Sequence, residues 1–511
     1  MGQKESQFKV LWQLQTHEEY MKQTSSFLRD FNALERYNLK ENFEALSSFD
    51  NGEKIWVEDA FTTFFGIPDV IQLSPFFYRS ACSFGRDLNI NRQRLTFSAL
   101  ARFLASYTGR HKDVWSDFES NLMIIASWCD SFPKFRVEVL KNSKQISRLI
   151  HSDVQNISNF FDQNFGIRRS NIYQLCLLLL CISKLKPGES VGCHINSFLD
   201  SMFVKEQKAA FYVLQGISPD ISSNIIKPSY LLHFLESNPY FLKSLGSLFE
   251  LALFPHSAHN QKVQDDVSPL NDFAILSPLI HAQICFFLPK SVWQVNGLTS
   301  LFRASFHGYS MYALERKMCN YHNPSILLIK AKKINANHKS SSRPISLDAT
   351  IPRKYPPHCI GTDKAVPQKF GADFHNENIL LGAYISTRWR QSHMGFFGDH
   401  STLLFQLQPI HQVYYASNLD KNYCMFDKNV GLGFGLSRHK VTNKVQYDVP
   451  GVCMYIDDGL EYGLFRHAGD GAFKPATNYE NFEYEERFLI QDLEVIGVDT
   501  TKPVEPIHIG L

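Results

Sequence analysis

The chain has 511 residues, 44% of them hydrophobic and 20% charged, with 52 Lys and Arg against 50 Asp and Glu. These proportions exclude a disordered or collagen-like chain and a disulfide-stapled miniprotein, and the length predicts roughly two to four domains. The charge balance argues against a protein built to hold a phosphate backbone, although a local basic patch stays open.

The chain opens Met1-Gly2-Gln3-Lys4-Glu5-Ser6. Gly2, exposed once Met1 is removed, and the hydroxyl of Ser6 match the N-myristoylation pattern; the competing reading is a plain polar arm. One myristoyl chain binds a membrane only marginally, and no nearby Cys offers a second acyl chain. Lys4, Lys9 and Lys22 add modest attraction, so stable residence calls for a partner already on the membrane. No apolar signal-peptide core is present, which fits a reducing compartment. The ten cysteines form no C-x-x-C pair, so free thiols are expected rather than a zinc knuckle or thioredoxin-like motif. The longest apolar run, Leu175 to Ile182, is far short of the roughly 20 residues that span a bilayer.

From about residue 8 to 252 the apolar period is helical. Phe27, Phe31 and Leu34 recur at i, i+4, i+7. Val57, Phe61, Phe64 and Phe65 run into Gly66-Ile67-Pro68, and Leu100, Phe103, Leu104 and Tyr107 run into Gly109. Asn38 with Glu41 reads as an N-cap, Trp115 to Ile125 as one more amphipathic helix, and Phe241 to Ala252 as the last. Helix pairs around Asp50-Asn51-Gly52-Glu53 and around Gly109 to Trp115 suggest helix-loop-helix units of the EF-hand kind. Neither loop carries calcium ligands: counted from Asp50, the third and fifth positions are Gly52 and Lys54.

Residues 255–272 are polar and Pro-bearing and read as a linker. A helix Leu276, Ile280, Ile284, Phe287 follows, ending at Pro289. Strand-like runs then appear at Leu301-Phe302, Ser325 to Ala331, Ile379 to Ile385, Leu403 to Leu407, Val413 to Tyr415, Val452 to Ile456 and Leu460 to Phe465. Asp458-Gly459 between the last two predicts a type I′ hairpin turn. Residues 332–376, rich in Lys, Arg, Ser and Pro, read as a long insertion, either solvated or touching an acidic partner or lipid headgroups. The domain plan is therefore a helical region 1–254, a linker 255–272, a sheet domain 273–499 with that insertion, and a tail 500–511.

Catalytic signatures are absent. No G-x-x-x-x-G-K-[ST], H-E-x-x-H or G-x-S-x-G occurs, and Gly308-Tyr309-Ser310-Met311-Tyr312 lacks the second Gly of a nucleophile elbow. Ser310 reads instead as the cap of a helix with Met311, Leu314 and Met318. Gly431-Leu432-Gly433-Phe434-Gly435 has no helix behind it to present amides to a phosphate and reads as a strand or bulge. His256 and His259 have ligand-like spacing only within the linker, and Asp457-Asp458 lies at a turn. No cofactor or metal is expected.

Trp293, Leu301-Phe302, His307-Gly308-Tyr309-Ser310, Ser325 to Ile329, Gly382-Ala383-Tyr384, Arg388-Trp389, Gly395-Phe396-Phe397-Gly398, Leu404-Phe405, Gly433-Phe434-Gly435, Tyr455-Ile456-Asp457 and Gln491 to Val495 occur in this order. Together they resemble the TLDc domain over about 270–499, departing from it in the 332–376 insertion and in Ile496, where many relatives carry Trp. The resemblance implies an α+β protein: an all-helical N-terminal region followed by two antiparallel β-sheets with flanking helices. It implies a non-enzymatic role, with the cytosolic-sector subunits of the vacuolar proton pump, the V-ATPase, as partners and disassembly of that sector as the outcome. It also implies a cytoplasmic protein meeting the vacuolar membrane reversibly through myristoylated Gly2, and a genetic link to telomere capping without direct nucleic-acid binding. His307, Gly308, Arg388, Trp389, Gly433, Gly435, Asp457 and Glu494 are the signature or partner-binding candidates. Two alternatives stay open: a TOR-signalling or oxidative-stress-resistance scaffold, and an enzyme using Glu494 or Asp457 as acid or base.

Overall fold

The computed structural model describes residues 17–67, 71–85, 94–112, 114–115, 117–129, 162–163, 165–182, 203–220, 222–253, 272–289, 292, 297–333, 378–391, 395–441, 444–448, 451–469, 471–477 and 483–499. Gly2, Trp293, His256, His259, the tail 500–511 and nearly all of the linker and insertion lie outside them. The described residues form two compact units: one holds those up to 214 with 223–253, the other 215–222 with those from 272 to 499.

In the first unit the helix expected to carry Phe27, Phe31 and Leu34 is two helices, α1 (His17–Arg29) and α2 (Ala33–Leu46). The break has a chemical cause. Asn32 accepts the Glu35 N–H at 2.9 Å while the Glu35 carboxylate accepts the Asn32 N–H at 2.8 Å, a reciprocal cap that starts a new helix. The expected cap at Asn38 is thus mid-helix, and Leu34 faces solvent. Buried Glu35 also pairs with Arg110 at 2.8 Å, which neutralises both charges away from water.

Strands β1 (Ser48–Asp50) and β2 (Glu53–Trp56) form a hairpin with positive φ at Asn51 and Gly52. This is the conformation that an Asn-Gly turn favours. Helices α3 (Glu58–Phe65) and α4 (Ser74–Ser83), strand β3 (Leu95–Thr96), and helices α5 (Phe97–Tyr107) and α6 (Asp117–Ser127) follow. Then come β4 (Ile167–Arg168), α7 (Arg169–Ile182), α8 (Phe203–Ile217), β5 (Ile225–Ile226), α9 (Pro228–Ser237) and α10 (Phe241–Leu253).

β2 pairs with β3, and β4 with β5, each over two residues, and each of these strands is followed by a helix. Each pairing bridges two helix-flanked loops, the arrangement that a pair of helix-loop-helix units would use. The second loop of the first pair carries Leu95–Thr96, however, and not the Gly109 to Trp115 connection that the sequence suggested. Asp50 is held by Arg94 at 2.6 Å, so a guanidinium from the facing loop neutralises that carboxylate. Among the described residues no group of three or more His, Cys, Asp or Glu could hold a metal ion. The aromatic core joins Phe65, Phe77, Phe103 and Tyr107 through Phe249, with ring centroids 4.9 to 5.6 Å from its own.

The second unit begins with α11 (Pro278–Ile284), capped by Ser277. It continues with β6 (Leu298–Arg303), α12 (Ala304–His307), α13 (Met311–Met318), β7 (Ser325–Lys333), β8 (Asn378–Ile385), β9 (Leu403–Gln408) and β10 (Gln412–Tyr415). β11 (Cys424–Asp427), β12 (Gly431–Phe434), β13 (Ser437–Val441), β14 (Lys444–Asp448), β15 (Cys453–Ile456), β16 (Tyr462–His467) and β17 (Tyr484–Val498) complete it. Lys332 and Lys333 belong to β7, paired with Leu489 and Phe488, so the insertion starts later than position 332.

The antiparallel strands run β10-β9-β8-β7-β17-β16-β15-β12-β11, with β6 also on β17, and β13-β14 form a separate ribbon. β17 is shared. Its first half pairs with β16 and its second with β6 and β7. The two halves fold over one another, since Tyr414 on β10 packs against Phe465 on β16 with centroids 5.4 Å apart. One core cluster draws Leu327, Leu381 and Leu404 from one half and Phe434, Met454 and Phe465 from the other. The architecture is the expected α+β arrangement, its two sheets joined through one strand.

Candidate functional site

Glu494 is fully buried on β17, beside a bulge against β6. Its Oε1 accepts the Ala274 N–H at 3.1 Å and the Ser300 hydroxyl at 3.4 Å; its Oε2 accepts the N–H groups of Ile275 at 2.8 Å and Leu276 at 3.3 Å. Arg303 lies 3.6 Å from Oε1 and also donates to the Asp272 carbonyl. A carboxylate offers about four acceptor positions, and four donors fill them here. The group thus fastens residues 272–276 to the sheet just before the Ser277 cap. It faces no solvent and has no lone pair left for a substrate proton.

His307 stands nearby at the end of α12. Its Nδ1 accepts the Arg303 N–H at 3.0 Å, and its ring stacks on buried Phe302. Gly308 follows with φ +86° in open space, so the position needs glycine for its conformation and not for room. Just after β8, Arg388 donates from Nε and Nη2 to the carbonyl of Cys319, the residue that caps α13, at 2.9 and 2.6 Å. Trp389, buried, donates to Ser325 Oγ at 2.8 Å.

The remaining candidates lie elsewhere in the sheet. A Cβ at Gly433 would collide with the Leu436 side chain, and one at Gly435 would meet the Val452 carbonyl at 2.7 Å. Asp457 Oδ1 accepts the N–H groups of Glu461 and Tyr462, both at 2.9 Å. Burial pushes the Asp457 carboxyl above its usual range, against the pull of those two amides. The β15–β16 hairpin is present, but its positive φ falls at Leu460 and not at Asp458-Gly459. The turn is therefore a longer loop organised by the Asp457 carboxylate and not the two-residue type I′ turn expected. The structure brings His307 and Glu494 into one neighbourhood through Arg303, and keeps Arg388-Trp389 and Gly433-Asp457 in others.

Residues 271–499 match the family model described as TLDc domain. The C-terminal half is a TLDc domain. Over a longer stretch the chain is similar to proteins named "Restriction of telomere capping protein 5". The one from Leptosphaeria maculans is 26% identical over 399 residues, covering 71% of this chain and 60% of the relative. The one from Colletotrichum graminicola is 23% identical over 552 residues, covering 94% and 88%. The one from Komagataella phaffii is 28% identical over 364 residues, covering 68% and 60%. The chain thus spans about three-fifths of the first and third of these relatives.

Within the TLDc domain one chemical pair escaped the sequence reading: His281 and Cys285, four apart at the end of α11, with Sγ 3.7 Å from Nε2 and 4.0 Å from Nδ1. The i, i+4 spacing of a His and a Cys was the available signal. Burial pushes the thiol up and the imidazole down, so both are held neutral, and Nε2 is already engaged by the Val292 carbonyl at 2.9 Å. A nucleophile needs the opposite shifts.

Proposed function

We propose that this chain is a non-enzymatic regulator of the vacuolar proton pump, binding cytosolic-sector subunits of the V-ATPase and favouring separation of that sector from the membrane. The observation that carries the reading is the TLDc domain at 271–499. The internal commitment of Glu494, Asp457, His307 and Arg388 supports binding over catalysis: each candidate acid, base or cation is spent on a backbone group of the domain itself. The relatives' name speaks of telomere capping; carried to this chain, that link is indirect, in keeping with a net charge of only +2. Gly2 with its lipid gives reversible attachment to the vacuolar membrane, and the pump gives the resident partner.

To drive disassembly the chain must bind the released sector more tightly than the assembled pump, because a ligand shifts an equilibrium only through differential affinity. Moving the pump from mostly assembled to mostly separated asks for about 10⁴-fold preference. The test is to add purified chain to vacuolar membranes and measure both pump subunits captured and cytosolic sector released. Capture with release supports the proposal. No capture refutes it and leaves the signalling or stress-resistance scaffold. Turnover of a peroxide or ester, lost on Glu494→Gln, refutes the non-enzymatic role.

A further inference from the structure

Three aromatic side chains of one seven-residue stretch stand out from the TLDc domain: Phe306 is 78% exposed, Tyr309 40% and Tyr312 70%. They are held in place. Ser305 donates to Asp492 from its N–H at 3.1 Å and its hydroxyl at 2.9 Å, and Tyr309 donates its hydroxyl to the Gln491 carbonyl at 2.7 Å. Behind Phe306 the His307 ring meets it edge-on at 5.0 Å and stacks on Phe302 at 5.5 Å. A rigid turn with an almost fully exposed phenyl at its tip, displayed on a folded sheet, is not explained by the packing of the domain.

The charges around it have one sign to spare. Arg316 lies one helical turn after Tyr312 on α13, Lys317 adjoins it, and Lys330 is exposed on β7, the strand partner of Asp492. None of the three has a carboxylate partner among the described residues. The neighbouring carboxylates are engaged: Asp492 by Ser305, and Glu315 by the Gln391 amide.

We infer that this aromatic and basic turn is a membrane contact, with Phe306 and Tyr312 entering the interface of an anionic bilayer and Arg316, Lys317 and Lys330 facing its headgroups. Tyrosines and phenylalanines with lysine or arginine beside them suit the boundary between headgroup and acyl chain, where each ring buries apolar surface while cations meet lipid phosphates. Exposures of 70% and 78% mean side chains that project rather than line a groove, which fits insertion into lipid better than reception of a peptide. The contact also supplies what the N-terminus lacks, since one myristoyl chain needs a second signal for stable attachment. It deepens the proposed membrane-associated role, yet it is tested without the pump.

The experiment uses the full chain without a myristoyl group, sedimented with phosphatidylcholine vesicles and with vesicles containing about one-quarter phosphatidylserine. Binding is expected only to the second kind, weakened by salt, and reduced at least about tenfold by Phe306→Ser with Tyr312→Ser. Arg316→Ser with Lys317→Ser is expected to reduce it and flatten its salt dependence. All four side chains are exposed, and an unchanged melting temperature shows that the variants are folded. Equal binding to both vesicle types, or anionic binding that the aromatic variant retains, overturns the inference. If the aromatic variant loses capture of pump subunits while vesicle binding is unchanged, the patch is a protein contact and the inference is overturned while the proposed function stands.

Discussion

Replacing Glu494 by Gln tests the clasp on residues 272–276 most directly. The substitution keeps size and one acceptor oxygen, which can still serve Ile275 and Leu276. Its amide nitrogen then meets the Ala274 N–H, 3.1 Å from Oε1 in the native chain, donor against donor. Arg303 loses a carboxylate at 3.6 Å. Leaving one buried N–H unsatisfied costs about 1–3 kcal/mol, and bonds to a charged acceptor are worth about 1.5–3 kcal/mol, so a loss of about 3 kcal/mol is expected. For a unit of this size that lowers its melting temperature by about 6–12 °C. Because two units unfold in one chain, the assay pairs thermal unfolding of the full chain with hydrogen exchange. The amides of Ala274, Ile275 and Leu276 should lose protection ahead of the β17 core. Unchanged melting with unchanged protection at these three amides would refute the clasp. Glu494→Ala, which leaves all three amides and the Ser300 hydroxyl without this acceptor, should cost more than Gln.

Acidification should weaken the TLDc domain through two buried histidines. Burial holds His281 below its usual value and His411 down to about 3, so the unfolded chain binds protons first as the pH falls past about 6.5. The stability contributed by the neutral rings is present above that pH and is lost progressively towards the folded values. Melting temperatures measured between neutral and mildly acid pH should fall, and His411→Gln should flatten the slope; an identical slope would discard the assignment. Gly431 and Gly433 should respond differently to Ala: a Cβ at Gly431 strikes the Ile456 carbonyl at φ +122°, whereas one at Gly433 strikes the movable end of Leu436. Gly431→Ala should abolish soluble folded protein, and Gly433→Ala should cost about 1–3 kcal/mol by denaturant titration. Finally, the proposed lipid attachment predicts that Gly2→Ala shifts a fluorescently tagged chain from the vacuolar rim to the cytosol; an unchanged rim would assign attachment to other contacts.

What the sequence disclosed and what it hid divide along a physical line. Helices with one apolar face and a hard stop were plain, as at Phe61 and Phe65 before Gly66, whose αL conformation ends the helix. Strands buried on both faces, such as Ser325 to Ile329 and Ile379 to Ile385, read directly as apolar runs. Asn32 is hidden in the sequence because Phe27, Phe31 and Leu34 keep helical spacing across the break, and spacing alone cannot show a reciprocal cap. β17 was legible only as a family motif: its first half carries Glu485, Glu486 and Arg487, which mask the strand, and two bulges disturb its alternation. Glu494 could be named from the signature, but its partners are about 220 positions earlier, and only the folded chain brings them together.

The sharing of β17 also sets an order of assembly during translation. β6, β7 and β16 all wait for this last strand of the domain, and β6 leaves the ribosome roughly 190 residues before it, about 10–40 s earlier at ordinary elongation rates. Until then β6 and β7 each lack their common neighbour, and the edges it will cover stay open to other chains. A premature stop anywhere before β17 would therefore remove the seam on which the whole sheet closes, and nascent TLDc chains should be clients of ribosome-associated chaperones for that interval.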